Sequence, residues 1–211
     1  MQDPEWAENH ERWIARLDES RQALKSKRDQ LVEDIRAAFA DVTRKGGNSL
    51  AEVELLDSGD SERECKRIRA QQRDKHWSEV DLRKHDPFGN GPAFLDPIGF
   101  RYHLPAYMID QLTVGNHVID RTDHDPWTGQ DTIVFSLTNT SEWNVEKQSL
   151  LNSPQRECVA RFLALNMELM QSTHFEGKPD DVYLALMTIW RDDLPADDRS
   201  HLESIWPGRF S

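Results

Sequence analysis

The chain has 211 residues, 30% of them charged and 37% apolar, with a formal net charge of −12. Seven Trp and eight Phe supply enough packing surface to argue against wholesale disorder, and no apolar run approaches the roughly 20 residues that a membrane-crossing helix needs. Two cysteines, Cys65 and Cys158, make no disulfide framework. The opening MQDPEWAENHERW lacks the basic start and apolar stretch of a secretion signal, so a reducing cytoplasm is the expected setting, with no membrane partner.

The charge is uneven. Residues 1–45 hold nine Lys/Arg against ten Asp/Glu, residues 46–84 hold eight against nine, and residues 85–211 hold nine against nineteen. An acidic C-terminal portion repels phosphate backbones, so no nucleic-acid partner is expected, whereas a basic protein is attracted. The plainer role of such acidity is to keep a protein in solution.

After Pro4 there is no Gly or Pro as far as Asp41, and Trp6, Trp13, Leu17, Leu24, Leu31, Ile35 and Phe39 recur at steps of seven and four. This spacing predicts one long helix. Up to Leu24 its apolar stripe is a narrow seam, of the density that suits helix pairing. From Leu31 the stripe widens through Ile35, Ala38, Phe39 and Val42 into a core-facing surface. Gly46 and Gly47 stop it. Residues 48–60 read as a short helical turn or loop, and residues 61–80 as a solvated helix anchored by Trp77. Pro87, Gly89, Gly91, Pro92 and Pro97 then mark a compact loop. Pro105 is placed near the start of a short buried helix. Residues 115–131 read as loop, and Thr132 to Leu137 as a strand, because Ile133, Val134 and Phe135 are β-formers. Ser153 as cap and Pro154 as first residue open a helix to about Gln171, another opens at Pro179, and a final turn runs from Asp197 to Trp206. The expected fold class is therefore α+β, mostly α: a compact helical domain over 29–211 with a minor β element, preceded by an N-terminal helical extension over 1–28.

The phrase Phe94-Leu95-Asp96-Pro97-Ile98-Gly99-Phe100-Arg101-Tyr102-His103-Leu104-Pro105-Ala106-Tyr107-Met108 resembles the signature of a bacterial domain family of unknown function. The helix Leu31 to Val42, the lone Trp77, the helix opening at Ser153 and the helix ending in Trp190 stand where that family has similar elements. The resemblance spans roughly residues 30 to 192. It implies a fold but no activity, ligand or catalytic residue. Read physically, the signature is a structural hub in which Gly99 permits a tight turn and Phe94, Phe100, Tyr102 and Tyr107 supply packing surface. The other reading has Arg101, Tyr102 and His103 lining a cleft that binds an anion or a peptide end.

His117, Asp120, Asp123, His124 and Asp125 form the densest set of metal-capable side chains, but their spacing matches neither a helical His-Glu-x-x-His site nor a calcium loop. A solvent-exposed polar loop explains them as well. No Gly-x-Ser-x-Gly elbow and no phosphate-binding Gly loop occur. Cys65, among Arg63, Lys66, Arg67 and Arg69, has a basic neighbourhood that also fits mere exposure on a charged helix. No cofactor or catalytic residue is expected. These observations favour a non-enzymatic protein-binding module, with an immunity or antitoxin-like role as the kind of biology that suits one. Its partner, or a second copy, would be gripped through the N-terminal helix at Trp6, Trp13, Leu17 and Leu24. The alternative is a small enzyme using the 117–125 loop as a metal site, or Arg101 and His103 as a pocket for a small polar substrate.

Overall fold

In the computed structural model, which describes residues 4–59, 61–71, 74–87, 89–113, 129–173 and 179–206, the long apolar stripe becomes a single helix, α1 (Pro4–Ala38). After it come a 3-10 turn (Leu50–Glu52) that runs into α2 (Val53–Asp57), then α3 (Glu62–Arg69), a second 3-10 turn (Trp77–Glu79), α4 (Leu82–His85) and α5 (Gly91–Phe94). The remainder is α6 (Pro97–Thr113), α7 (Gly129–Thr138), α8 (Glu142–Ser149), α9 (Ser153–Thr173), α10 (Pro179–Thr188) and α11 (Ala196–Ile205). Helix α1 packs on α6 and α9, α7 packs on α6, α8 and α10, and α9 carries α10 and α11 on its other contacts. Leu31, Val32 and Ile35 of α1 join Phe100, Leu104, Phe162, Leu163, Leu186 and Trp190 in one buried cluster.

The described residues contain helices and no strand, which overturns the β element expected over 132–138. Burial follows a helical period there: Ile133, Ser136 and Leu137 are buried at steps of three and four, while Phe135, which a strand would place on the face of Ile133 and Leu137, is exposed. Packing overrides the β-propensity of Ile-Val-Phe. The C-terminal carbonyls of α7 are taken by distant side chains: Gln148 Nε2 donates to Ser136 O at 3.1 Å, and Trp190 Nε1 donates to Leu137 O at 2.9 Å.

Other boundaries differ from expectation as well. Helix α6 starts at Pro97, so Pro105 lies inside it. Asp96 is the cap, its Oδ1 accepting from Gly99 N at 2.9 Å, and Pro97 is the first helical residue, where a missing N–H costs nothing. The helix expected over 61–80 ends at Arg69, and Trp77 sits in its own 3-10 turn, buried with Nε1 donating to Phe39 O at 2.9 Å. The cap of α9 is Asn152, one residue before Ser153: Gln155 N donates to Asn152 Oδ1 at 3.1 Å and Asn152 N donates back to Gln155 Oε1 at 3.2 Å. This reciprocal pair satisfies two donors that a bare helix start would leave open.

Candidate functional site

The family-like phrase sits where α6 crosses the loop after α1. Asp96 Oδ1 accepts from Asn48 N at 2.7 Å as well as from Gly99 N, so a single carboxylate joins loop and helix. The two backbones touch: a Cβ on Gly99 would lie 2.5 Å from Asn48 O, and one on Gly47 would lie 2.6 Å from Gly99 N. Gly99 is thus needed for close approach within a helix and not, as expected, for a turn. Beside it, Asp86 accepts from Asn90 N, Gly91 N and the Tyr107 hydroxyl, the last at 2.5 Å. Burial pushes the Tyr107 phenol well up, and the adjacent Asp86 carboxylate adds to the shift. Glu52 is fully buried, and Arg69 reaches it with two nitrogens at 2.8 and 2.7 Å. Burial works against the Glu52 carboxylate, but the hydrogen bonds from Arg69 and Ser49 outweigh it and hold its pKa below the usual range. Phe100, Tyr102 and Tyr107 are buried, as the hub reading expects, and Phe94 is half-buried against the core.

The expected trio of Arg101, Tyr102 and His103 separates. Arg101 Nε donates to Gln155 Oε1 at 3.0 Å, and Gln155 Nε2 donates in turn to Ala38 O, so Arg101 ties α6 to α9 and the end of α1. Tyr102 OH donates to Asp74 Oδ2 at 2.7 Å. Burial, then this carboxylate, raises the Tyr102 pKa. His103 is fully buried, edge-on to the Tyr102 ring at 4.9 Å, and neither ring nitrogen has a hydrogen-bond partner among the described residues. Burial lowers its pKa to about 3, against a smaller opposing pull from Asp74. Arg44 and Asp74 face this pair and were not foreseen. They come from loops with no apolar period, and the Asp74–Tyr102 bond spans 28 residues of sequence.

Two open clefts lie elsewhere. One, of about 380 Å³, runs between Trp77, Val80, Leu82 and the Ala106–Asp110 stretch of α6, with Arg36 and Arg83 at its edge. Burial raises the Asp110 carboxyl there, partly offset by Arg83. The other, of about 330 Å³, lies between α1, α9 and α11, where Glu168 accepts from Lys27 Nζ at 2.9 Å and meets His201 Nε2 at 3.1 Å. Both cysteines are free and buried, so Cys65 is not the exposed thiol of a charged helix. Burial pushes the Cys158 thiol up to about 11. The 117–125 loop, with His117, Asp120, Asp123, His124 and Asp125, lies outside the described residues. Among those described, no three His, Cys, Asp or Glu side chains group as metal ligands would.

Of the N-terminal seam, the side chains of Trp6, Trp13 and Leu17 lie outside what is described, and Leu24 is half-buried against the core. From Ala15 to Ala23 every described side chain is exposed, apart from a half-buried Arg21. None of the described helices is long and apolar enough to cross a membrane.

Among its described residues this is an all-helical domain knit at the α6 crossing, with a long helix that continues past its core. The chain belongs to a family of unknown function, DUF6714, whose model matches residues 27–194. No curated protein and no solved structure matches it. Residues 4–26 of α1 and all of α11 lie outside the matched segment.

Proposed function

We propose that this protein is a non-enzymatic binding module that grips a protein partner, or a second copy of itself, through the N-terminal part of α1. The observation that carries this reading is the exposure of α1 from Ala15 to Ala23 within one unbroken helix. The Trp6, Trp13, Leu17 and Leu24 seam supplies the apolar contact, about two positions per seven residues, which is the density of paired helices. Burying a side chain of this class contributes on the order of 1.5 to 3 kcal/mol, and with Leu24 already partly packed against the core, Trp6, Trp13 and Leu17 supply most of what would hold a complex once ordering costs are met.

Sedimentation of the wild type against the double variant Trp6→Glu, Trp13→Glu tests it. A fall in mass, or the loss of a co-purified protein, with little change in melting is the expected result. A monomer that brings down no partner and is destabilised by the substitutions would mean that the seam packs on its own domain.

The same reading makes the extension dispensable for folding. The wide buried face of α1 begins at Leu31, so deletion of residues 1–26 is expected to leave a cooperatively melting domain. Broad, non-cooperative melting of that truncation would place the extension inside the folding unit.

A further inference from the structure

The seam on α1 is symmetric about its own middle. Trp6, Trp13, Leu17 and Leu24 are spaced by seven, four and seven residues, steps that read the same from either end. At about 100° per residue, positions 6 and 24 share one azimuth, and positions 13 and 17 fall about 20° to either side of it. All four stand on one narrow stripe of a single unbroken helix, and a copy turned end for end matches it position for position. The charge along the same stretch is segregated. Residues 4–11 carry Glu5, Glu8 and Glu11 with no Lys or Arg, whereas residues 12–28 carry six Lys/Arg against two Asp/Glu.

The domain lies on the seam side of the rod. Leu31 and Ile35 repeat the azimuth of the stripe to within about 20°, and both are buried, as is Arg28. A helix laid along the seam therefore has room only up to about Arg28. A second α1 running parallel and in step would continue past Leu31 into the core that α6 and α9 form there with α1. Running antiparallel, with Trp6 level with Leu24 and Trp13 level with Leu17, the second helix has its first residue, Pro4, level with Ser26 and stops short of Arg28. The antiparallel layers each set one Trp against one Leu, which keeps the two axes evenly spaced, whereas a parallel pair would stack Trp on Trp and Leu on Leu.

We propose that the occupant of the seam is a second copy of this chain, paired antiparallel over residues 4–26 with each Trp facing a Leu. This rests on the reading of α1 as the gripping element and says what it grips. Charge selects the same arrangement. An antiparallel copy lays its acidic start along the basic stretch of the first, with Glu5 level with Lys25 and Arg12 level with Asp18, and only Glu11 and Glu19 are level as like charges. A parallel copy would set acid beside acid and base beside base. The pair holds its two domains at opposite ends of the joined helices, with the two Leu31 residues about 48 Å apart along the axis.

Sedimentation and small-angle X-ray scattering of the purified full chain, with no other protein present, test the proposal. A dimer is expected, its scattering that of two lobes with centres about 50 Å apart. The variant Glu5→Lys, Glu8→Lys, Glu11→Lys should weaken the dimer about tenfold or more at unchanged melting temperature, because it lays basic stretch along basic stretch. The variant Arg12→Glu, Arg16→Glu, Arg21→Glu should do the same, and mixing the two variants should restore a dimer. A dimer with compact, single-lobed scattering, or one indifferent to the Glu reversals, would overturn the antiparallel pairing. A monomeric wild type would overturn self-pairing altogether. If that monomer still brings down another protein from its host and loses it on Trp6→Glu, Trp13→Glu, the seam remains a grip and only the second copy is wrong. If it brings down nothing and those substitutions destabilise it, both readings fall.

Discussion

Lowering the pH from 7 to 4 is expected to cost the protein about 3 kcal/mol of folding stability through His103 alone. The folded ring has its pKa lowered to about 3 by burial, while in the unfolded chain it titrates near the ordinary 6.5. Between these values the unfolded state binds a proton that the folded state refuses, so stability falls as pH drops below 6.5 and the loss is complete near 3. Each pH unit in that window is worth about 1.4 kcal/mol. The groups that act on the ring are Asp74, Arg44 and His85, of which only Asp74 favours its protonation. His103→Phe removes the proton uptake at similar volume, so its stability should fall about 3 kcal/mol less than wild type over that interval. Other acid-sensitive pairs, such as Arg161–Asp34 at 2.6 Å, are common to both proteins and drop out of the comparison. Parallel stability curves from chemical denaturation at stepped pH would show that His103 is not sealed from water.

Phe100→Ala is expected to destabilise by about 3 to 5 kcal/mol, a large share of the roughly 5 to 15 that a domain possesses. The ring is buried at the centre of the α6 crossing, and the Lys147 ammonium stands 5.3 Å from its centroid. Truncation would open a cavity and also strip an aromatic face from a buried cation, whose pKa burial already lowers to about 8. Leu184→Ala on the exposed face of α10 serves as the contrast and should stay within about 0.5 kcal/mol of wild type. A denaturation midpoint unmoved by Phe100→Ala would contradict the packing role of the signature.

The long helices were legible because repetition makes the signal: α1, α9 and α10 each place several apolar residues at helical steps. Short elements lack that redundancy. Over 132–137 six residues fit either period, and the deciding contacts, from Gln148 and Trp190, come from outside the helix. At α6, Pro105 reads as the start and Pro97 as a loop residue, whereas the helix opens at Pro97. Asp96 before Pro97 provides a cap that Pro105 lacks. The signature was recognisable as a packing hub, since large aromatics beside a glycine have few other uses. Its partners were not, because Asp86, Asp74 and Arg44 arrive from loops whose polar composition carries no register. Arg101 shows the converse: an arginine next to Tyr-His invites a binding role, yet Gln155, from the far cap of α9, takes its guanidinium.

Helix α1 has a mechanical consequence. Its exposed and its core-bound stretches are turns of the same rod, with no glycine or internal proline to serve as a hinge, so anything held near Trp6 inherits its bearing from Leu31 and Ile35. A tether would let a captured molecule tumble, whereas a rod fixes its azimuth. Each residue inserted between Ser20 and Leu24 would swing the distal part by about 100° and push it out by about 1.5 Å, while four restore the facing to within about 40°. The phase of the helix, more than its length, then sets which side of the domain a captured molecule sees.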